Sequence, residues 1–229
     1  MRATEIRTLA VRAGIAPGVS VLDLCCGVAG PGRFITRELG CTYLGVDSSS
    51  SAIEIAREGA GALPCRFEVS RIPPIPTGPF DVVLLFETML AFPDKETLLQ
   101  EISRALSTGG RFAFTLEEGL PLTEAERERM PDAETVWLTP LQEMLTWLEQ
   151  VGLLVRRQED CSQSHRAVAD SLINAFTADA TDIAAQIGRR ALEELLVAHR
   201  LWSEWLREGR VRKFAFVAEK AEDPSRLLL

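Results

Sequence analysis

No apolar run in this chain approaches the ~20 consecutive residues of a membrane-spanning helix, so no membrane partner is expected. The opening stretch MRATEIRTLAVRAG lacks the apolar h-region and cleavage site of a secretory signal and reads instead as an amphipathic helix over residues 3–13. A cytoplasmic location is the expectation. Positive charge is in deficit, with 25 Lys and Arg against 33 Asp and Glu and a net charge of −8. Without a basic stripe to neutralise phosphates, nucleic acid is not an expected partner. Cysteine is sparse and poorly placed for cross-linking. The five residues, Cys25, Cys26, Cys41, Cys65 and Cys161, are odd in number and contain no C-x-x-C pair, which argues against a disulfide framework or a zinc site. Adjacent thiols rarely chelate a metal alone, so Cys25 and Cys26 read as small buried hydrophobes lining a loop, and no metal is expected. Histidine is rarer still: His165 and His199 are the only two, which confines any imidazole base to two positions.

What is present is a regular alternation. A chain of 229 residues suits one well-buried α/β domain better than two, so a single domain over residues 1–229 is expected, as a monomer or homodimer. From Val19 onward, strand-like runs (SVLDLC, TYLGVD, CRFEVS, FDVVLLF, RFAFTL, LLVRRQED) alternate with helical ones, the pattern of βαβ units and a doubly wound, mostly parallel sheet. The punctuation agrees. Pro31 sits at a first helical turn that Gly40 closes, Ser48 to Ser51 supply an N-cap, and Asp94 opens KETLLQEISRAL before Gly109-Gly110. Two segments break the rhythm: an acidic insertion from Glu117 to Thr135, and two helical patterns within 164–208 that precede a last strand, RVRKFAFVAEK. Helices placed there form a cap over the sheet's edge.

The stretch VLDLCCGVAGPGRF runs a short strand into a loop rich in glycine. Ligands of open α/β sheets bind at the carboxyl ends of the strands, and Gly27, Gly30 and Gly32 let backbone approach them closely. Asp47 ends the next strand 20 residues after Gly27, where a carboxylate accepts both hydroxyls of a ribose. The glycine order is G-x-x-G-x-G, not the dinucleotide G-x-G-x-x-G, so a nicotinamide oxidoreductase is a poor fit. Asp23, at the first strand's end, is foreign to a pyrophosphate cradle and suits a ligand carrying positive charge. Together these residues point to a cationic nucleoside.

With VLDLCCGVAGPGRF, YLGVD, FDVVLLFETMLAFPD and LSTGGRFAF in that order, the chain resembles the class I, Rossmann-like S-adenosylmethionine (SAM)-dependent methyltransferases, in particular their small-molecule branch. The resemblance covers Val19 to Gln158 and the terminal strand. It implies a seven-stranded sheet with an antiparallel last strand, SAM as cofactor and S-adenosylhomocysteine as its product. It also implies that Asp23 lies near the methionine amino group, that Cys25 and Gly27 pass under the methionine part, and that Asp47 holds the ribose with Ser48 beside the adenine. The Phe86 carbonyl would accept from the amino group. The family usually has glycine where Cys25 and Ala29 stand, and many relatives carry Asp in place of Val69; adenine must then rely on the backbone of Val69 and Ser70 or on a neighbouring polar side chain.

Motifs of nucleic-acid methyltransferases such as N/D-P-P-[YFW] are absent after the fourth strand, where FETMLAF stands, which favours a small-molecule acceptor. The expected activity is methyl transfer to an O, N or C atom of a metabolite. The competing reading is a protein of the same fold that binds SAM without methylating, as a regulator or a catalyst of another reaction. Two bases are candidates: His165, where the chain enters the cap, and Glu87, next to the expected methyl position. His199, inside LLVAHRLWSEWL, reads as a helix-surface residue.

Overall fold

In the computed structural model, which describes residues 1–221, the alternation resolves into a seven-stranded sheet. Its strands are β1 (Ser20–Leu24), β2 (Thr42–Asp47), β3 (Cys65–Val69), β4 (Phe80–Leu85), β5 (Leu106–Glu118), β6 (Leu153–Asp160) and β7 (Arg212–Lys220). Their spatial order is β3-β2-β1-β4-β5-β7-β6. Strands β1 to β5 pair in parallel, and β7 enters antiparallel between β5 and β6. The order reverses between β1 and β4, the crevice where such sheets bind ligands. Residues 222–229 of the expected domain lie outside the described residues.

Both faces of the sheet are covered, as near-continuous apolar strands require. One face packs α1 (Ala3–Arg12), α2 (Gly30–Leu39) and α3 (Ser50–Ala60) through Leu9, Ile35 and Ile53. The other packs α4 (Lys95–Ala105) and α6 (Leu141–Gln150) through Leu98, Ile102 and Met144. On that second face Phe112, Phe114 and Phe216 stack in a row, with ring centroids 4.4 and 4.9 Å apart. The expected caps form: Ser49 Oγ accepts from Ala52 N, Asp94 Oδ1 accepts from Thr97 N, and Gly40 closes α2 at φ 72°. Among the described residues no helix is long and apolar enough to cross a membrane.

Two features depart from the sequence expectation. Gly109-Gly110 does not end a helix; it lies inside β5, where the register against β4 jumps from Phe80↔Leu106 to Val82↔Arg111. The pair forms a bulge, with Gly109 at φ +74° and Gly110 too close to the Ser107 and Phe80 carbonyls for a side chain. The cap holds three helices and not two: α7 (Ser162–Ala178), α8 (Ala180–Ile187) and α9 (Arg189–Glu208). Gly188, at φ 88°, supplies the break between the last two. Between β5 and α6 the acidic insertion forms a short helix, α5 (Glu124–Arg129), opened by a Thr123/Glu126 capping box.

Candidate active site

The β1 exit loop is organised by one carboxylate. Asp47 Oδ2 accepts from Gly27 N at 2.8 Å and Oδ1 from Ser49 N at 2.9 Å, while the Asp47 carbonyl accepts from Ser70 N at 2.9 Å. The ends of β1, β2 and β3 are thereby tied at one point. An ionised carboxylate has about four lone-pair sites, so two remain for a ribose. Backbone at Cys25 and Ala29 is left-handed, with φ 56° and 54°, a conformation that glycine adopts freely and that costs a residue with a Cβ about 1–2 kcal/mol. At Gly27 and Gly30 an added Cβ would meet nothing within 4 Å. The loop faces open space, as a cradle for a ligand must.

Other residues of the expected cofactor set take more specific places. Gly32 is a packing position: a Cβ there would overlap the buried Tyr43 ring. Tyr43 in turn donates its hydroxyl to Asp23 Oδ2 at 2.5 Å. Asp23 is 4% exposed. Burial raises its pKa to about 7, against the Tyr43 hydrogen bond and with help from the Asp47 charge. A cation beside it would restore the ionised form. Cys25 has its thiol pushed up to about 12, first by burial and then by Asp47 and Asp23, and Cys26 is raised by burial as well; neither is a thiolate at neutral pH. Ser48 is exposed beside Asp47, and Val69 is half exposed at the end of β3. The backbone of Ser70 is less available to adenine than expected, because its N–H is spent on Asp47. The Phe86 carbonyl accepts from Thr88 Oγ1 at 2.8 Å and keeps one lone pair.

Beyond β4 the chain assembles a charged cluster. Glu87 holds a left-handed backbone at φ 60°, fixed by its N–H donating to Thr115 Oγ1 at 2.7 Å. Its carboxylate faces His165 Nδ1 at 3.7 Å, beyond hydrogen-bond reach in this state but within range of a small side-chain rotation. The two bases proposed from sequence therefore meet. His165 enters on the first turn of α7, where the N-cap is Cys161 and Ser164 Oγ donates to the Cys161 carbonyl. Two further residues, which sequence reasoning missed, complete the cluster: Glu117 on β5 and Lys213 opposite it on β7. Lys213 is 1% exposed and pairs with Glu117 Oε1 and, at 3.1 Å, with Glu87 Oε1. Burial alone would strip its proton, but the two carboxylates outweigh that and raise its pKa. Burial likewise works against the Glu87 charge, yet the Lys213 ammonium brings its pKa below the ordinary value. His165 is lowered by burial and then by Lys213, against the pull of Glu87 and Glu117, so its imidazole is neutral at pH 7. Ligand atoms of Glu87, Glu117 and His165 lie within 4.8 Å of one another. The Lys213 ammonium already supplies the cation that such a set would attract.

Two cavities open onto this cluster. One, of about 380 Å³, runs beneath α1 and is lined by Thr4, Thr8, Leu9, Glu87, His165 and Lys213 among others. The other, of about 220 Å³, lies under the cap. His199 lines the second one; it is not a plain surface residue, for its ring packs edge-on against Phe176 at 5.3 Å and its Nδ1 sits 2.7 Å from the Leu195 carbonyl.

Comparison with known proteins bears on the family and the fold. Residues 15–152 match the family described as a methyltransferase domain. A methyltransferase from Streptomyces halstedii is 31% identical over 109 residues, 45% of this chain and 39% of that protein; the chain thus spans about two fifths of the length of that relative. Among solved structures, a putative sarcosine dimethylglycine methyltransferase from Galdieria sulphuraria superposes with a TM-score of 0.83 at 17% identity, over 96% of this chain and 85% of that one. Phosphoethanolamine N-methyltransferase 2 from Haemonchus contortus, solved with phosphomonomethylethanolamine and S-adenosylhomocysteine, gives a TM-score of 0.83 at 20% identity, over 96% of this chain and 53% of that one.

Proposed function

The chain belongs to the methyltransferase domain family, and from that premise we propose that it transfers a methyl group from SAM to a small-molecule acceptor. The observation that carries the reading is the Asp47 clasp, which joins Gly27 to the ends of β2 and β3 and keeps lone pairs free beside an open glycine cradle. SAM, when bound, supplies an electrophilic methyl on a sulfonium. Asp47 binds the ribose hydroxyls, the Cys25–Gly30 loop passes under the methionine part, and Asp23 answers the amino group's positive charge. Ser48 and Val69 flank the adenine. Methyl transfer is an in-line displacement, so orientation and exclusion of water carry most of the rate. The cap and α1 cover the acceptor cavities, and His165, neutral at pH 7, holds the proton that the acceptor loses, with Glu87 orienting its ring. The five thiols are free, which suits the reducing cytoplasm.

The test is calorimetry with S-adenosylhomocysteine. The protein is expected to bind it, and Asp47→Ala to weaken binding by roughly 1.5–3 kcal/mol, the worth of hydrogen bonds to a charged group, with cooperative unfolding retained. Absence of binding by the unaltered protein sinks the reading. Binding without methyl release to any component of a metabolite extract favours the non-methylating alternative.

A further inference from the structure

The floor of the smaller cavity carries an uncompensated demand. Glu117 is 5% exposed, and its Oε2 has no hydrogen-bond partner; Glu87 is a third exposed as a side chain, yet its Oε1 is sealed and its contact with Lys213 lacks hydrogen-bond geometry. Within 4 Å a single ammonium, that of Lys213, serves both carboxylates, beside a neutral imidazole; the N-terminal ammonium acts on Glu87 from farther off. At contact distance one negative charge remains in excess. A buried acceptor without a donor costs about 1–3 kcal/mol and more when charged, so the floor is stabilised by an occupant that brings donors and positive charge. Apart from His199, the walls are of opposite character: Leu90, Val168, Ala169, Leu172 and Trp202. The volume of about 220 Å³ exceeds the ~150 Å³ that accommodates benzene in an apolar cavity.

We propose that this cavity takes a primary amine borne on a compact apolar body, its ammonium seated on Glu117 and Glu87, and that this nitrogen is the methyl acceptor. The inference rests on the reading of the chain as a methyltransferase. An ammonium offers three donors and a full charge, where an alcohol offers one donor and none; a phosphate or carboxylate meets repulsion. Lys213 is a positioning residue that holds the two carboxylates side by side. In the reaction, the ammonium gives one proton to His165, the freed lone pair forms the new C–N bond, and the C–S bond breaks with its electron pair returning to sulfur. The product is an N-methylammonium, and the proton on His165 passes to water.

The experiment titrates 2-phenylethylamine, 2-phenylethanol and phenylacetate into the full chain by calorimetry, with and without S-adenosylhomocysteine. The amine is expected to bind at least roughly tenfold more tightly than the alcohol, a difference that one charge-assisted bond accounts for, and phenylacetate more weakly than both. Glu117→Gln is expected to bring the amine to within about threefold of the alcohol while S-adenosylhomocysteine affinity stays unchanged. The ranking of the three probes on the unaltered protein needs no variant. Equal or tighter binding of the alcohol or the acid, or no binding of the amine up to about 10 mM, overturns the proposal even where S-adenosylhomocysteine binds. Amine preference without S-adenosylhomocysteine binding upholds the seat and sinks the methyltransferase reading alone.

Discussion

Asp23 offers the sharpest numerical test of the site. It is buried at the end of β1 with Tyr43 as its hydrogen-bond donor, and burial raises its pKa to about 7. In the unfolded chain the same carboxyl titrates near 3.9. An acid whose folded pKa is raised contributes stability that is complete below its unfolded value and is lost as pH rises through the folded one. Three pH units at about 1.4 kcal/mol each give a loss of ~4 kcal/mol between pH ~4 and pH ~7, level above that. Asn in place of Asp23 preserves shape and an acceptor for Tyr43 but cannot ionise. Urea denaturation of both proteins from about pH 4.5 to 8.5 should therefore show Asp23→Asn gaining roughly 3–4 kcal/mol on the parent as pH rises. Taking the difference cancels the other carboxylates, such as Asp81 and Asp94, whose lowered pKa values tilt both curves the opposite way. A difference that stays flat within about 1 kcal/mol refutes the reasoning, because Asp23 would then be ionised in the folded protein throughout.

Gly32→Ala should cost about 2–5 kcal/mol in denaturant titration, the sum of overpacking against Tyr43 and a stranded Asp23, whereas Gly30→Ala, with open space above it, should stay within about 1 kcal/mol; equal effects would dismiss the packing role of Gly32. Cys25→Ala and Cys26→Ala should leave methyl transfer within about tenfold, because both thiols are protonated packing groups; loss of a bound metal on either change would contradict this. Deleting residues 1–13 should raise the acceptor's KM or abolish turnover while S-adenosylhomocysteine still binds, since Met1 lines the smaller cavity and α1 lines the adjoining larger one through Thr4, Thr8 and Leu9. Full activity in the truncated enzyme would remove α1 from the pocket, and equal loss of both functions would indicate a folding defect.

How much of this was legible in the sequence depended on the range of the interactions. Strand positions and helix caps followed from local pattern because Asp94, Ser49 and Gly40 act on their own neighbours. The Cys25–Gly32 loop was legible as a cradle, but not its division of labour: that Gly27 and Gly30 face space while Gly32 faces Tyr43 is set by how α2 lies on β2. The Gly109-Gly110 bulge carries the same signature as a helix stop, and only its pairing with β4 distinguishes them. Lys213 and Glu117 were missed for a further reason. In RVRKFAFVAEK, Lys213 reads as one more solvated charge flanking an apolar strand, and the Glu117-Glu118 pair reads as the start of an acidic loop. Their burial arises because both side chains lie on the sheet face that the cap covers, beside His165 of α7. Antiparallel register then puts Glu117 opposite Lys213 and Glu118 opposite Arg212. The outer pair lies nearer solvent, with Arg212 exposed and its Nε 2.8 Å from the half-buried Glu118, and surface pairs of that kind contribute about 0–1 kcal/mol. The inner pair is of identical chemistry one residue away, yet it faces the cavity and, with Glu87, forms the acidic floor on which acceptor choice turns. A one-residue shift of β7 would break the inner pair, setting Arg212 or Phe214 opposite Glu117. The register of the last strand, more than any motif, is therefore what gives this site its charge.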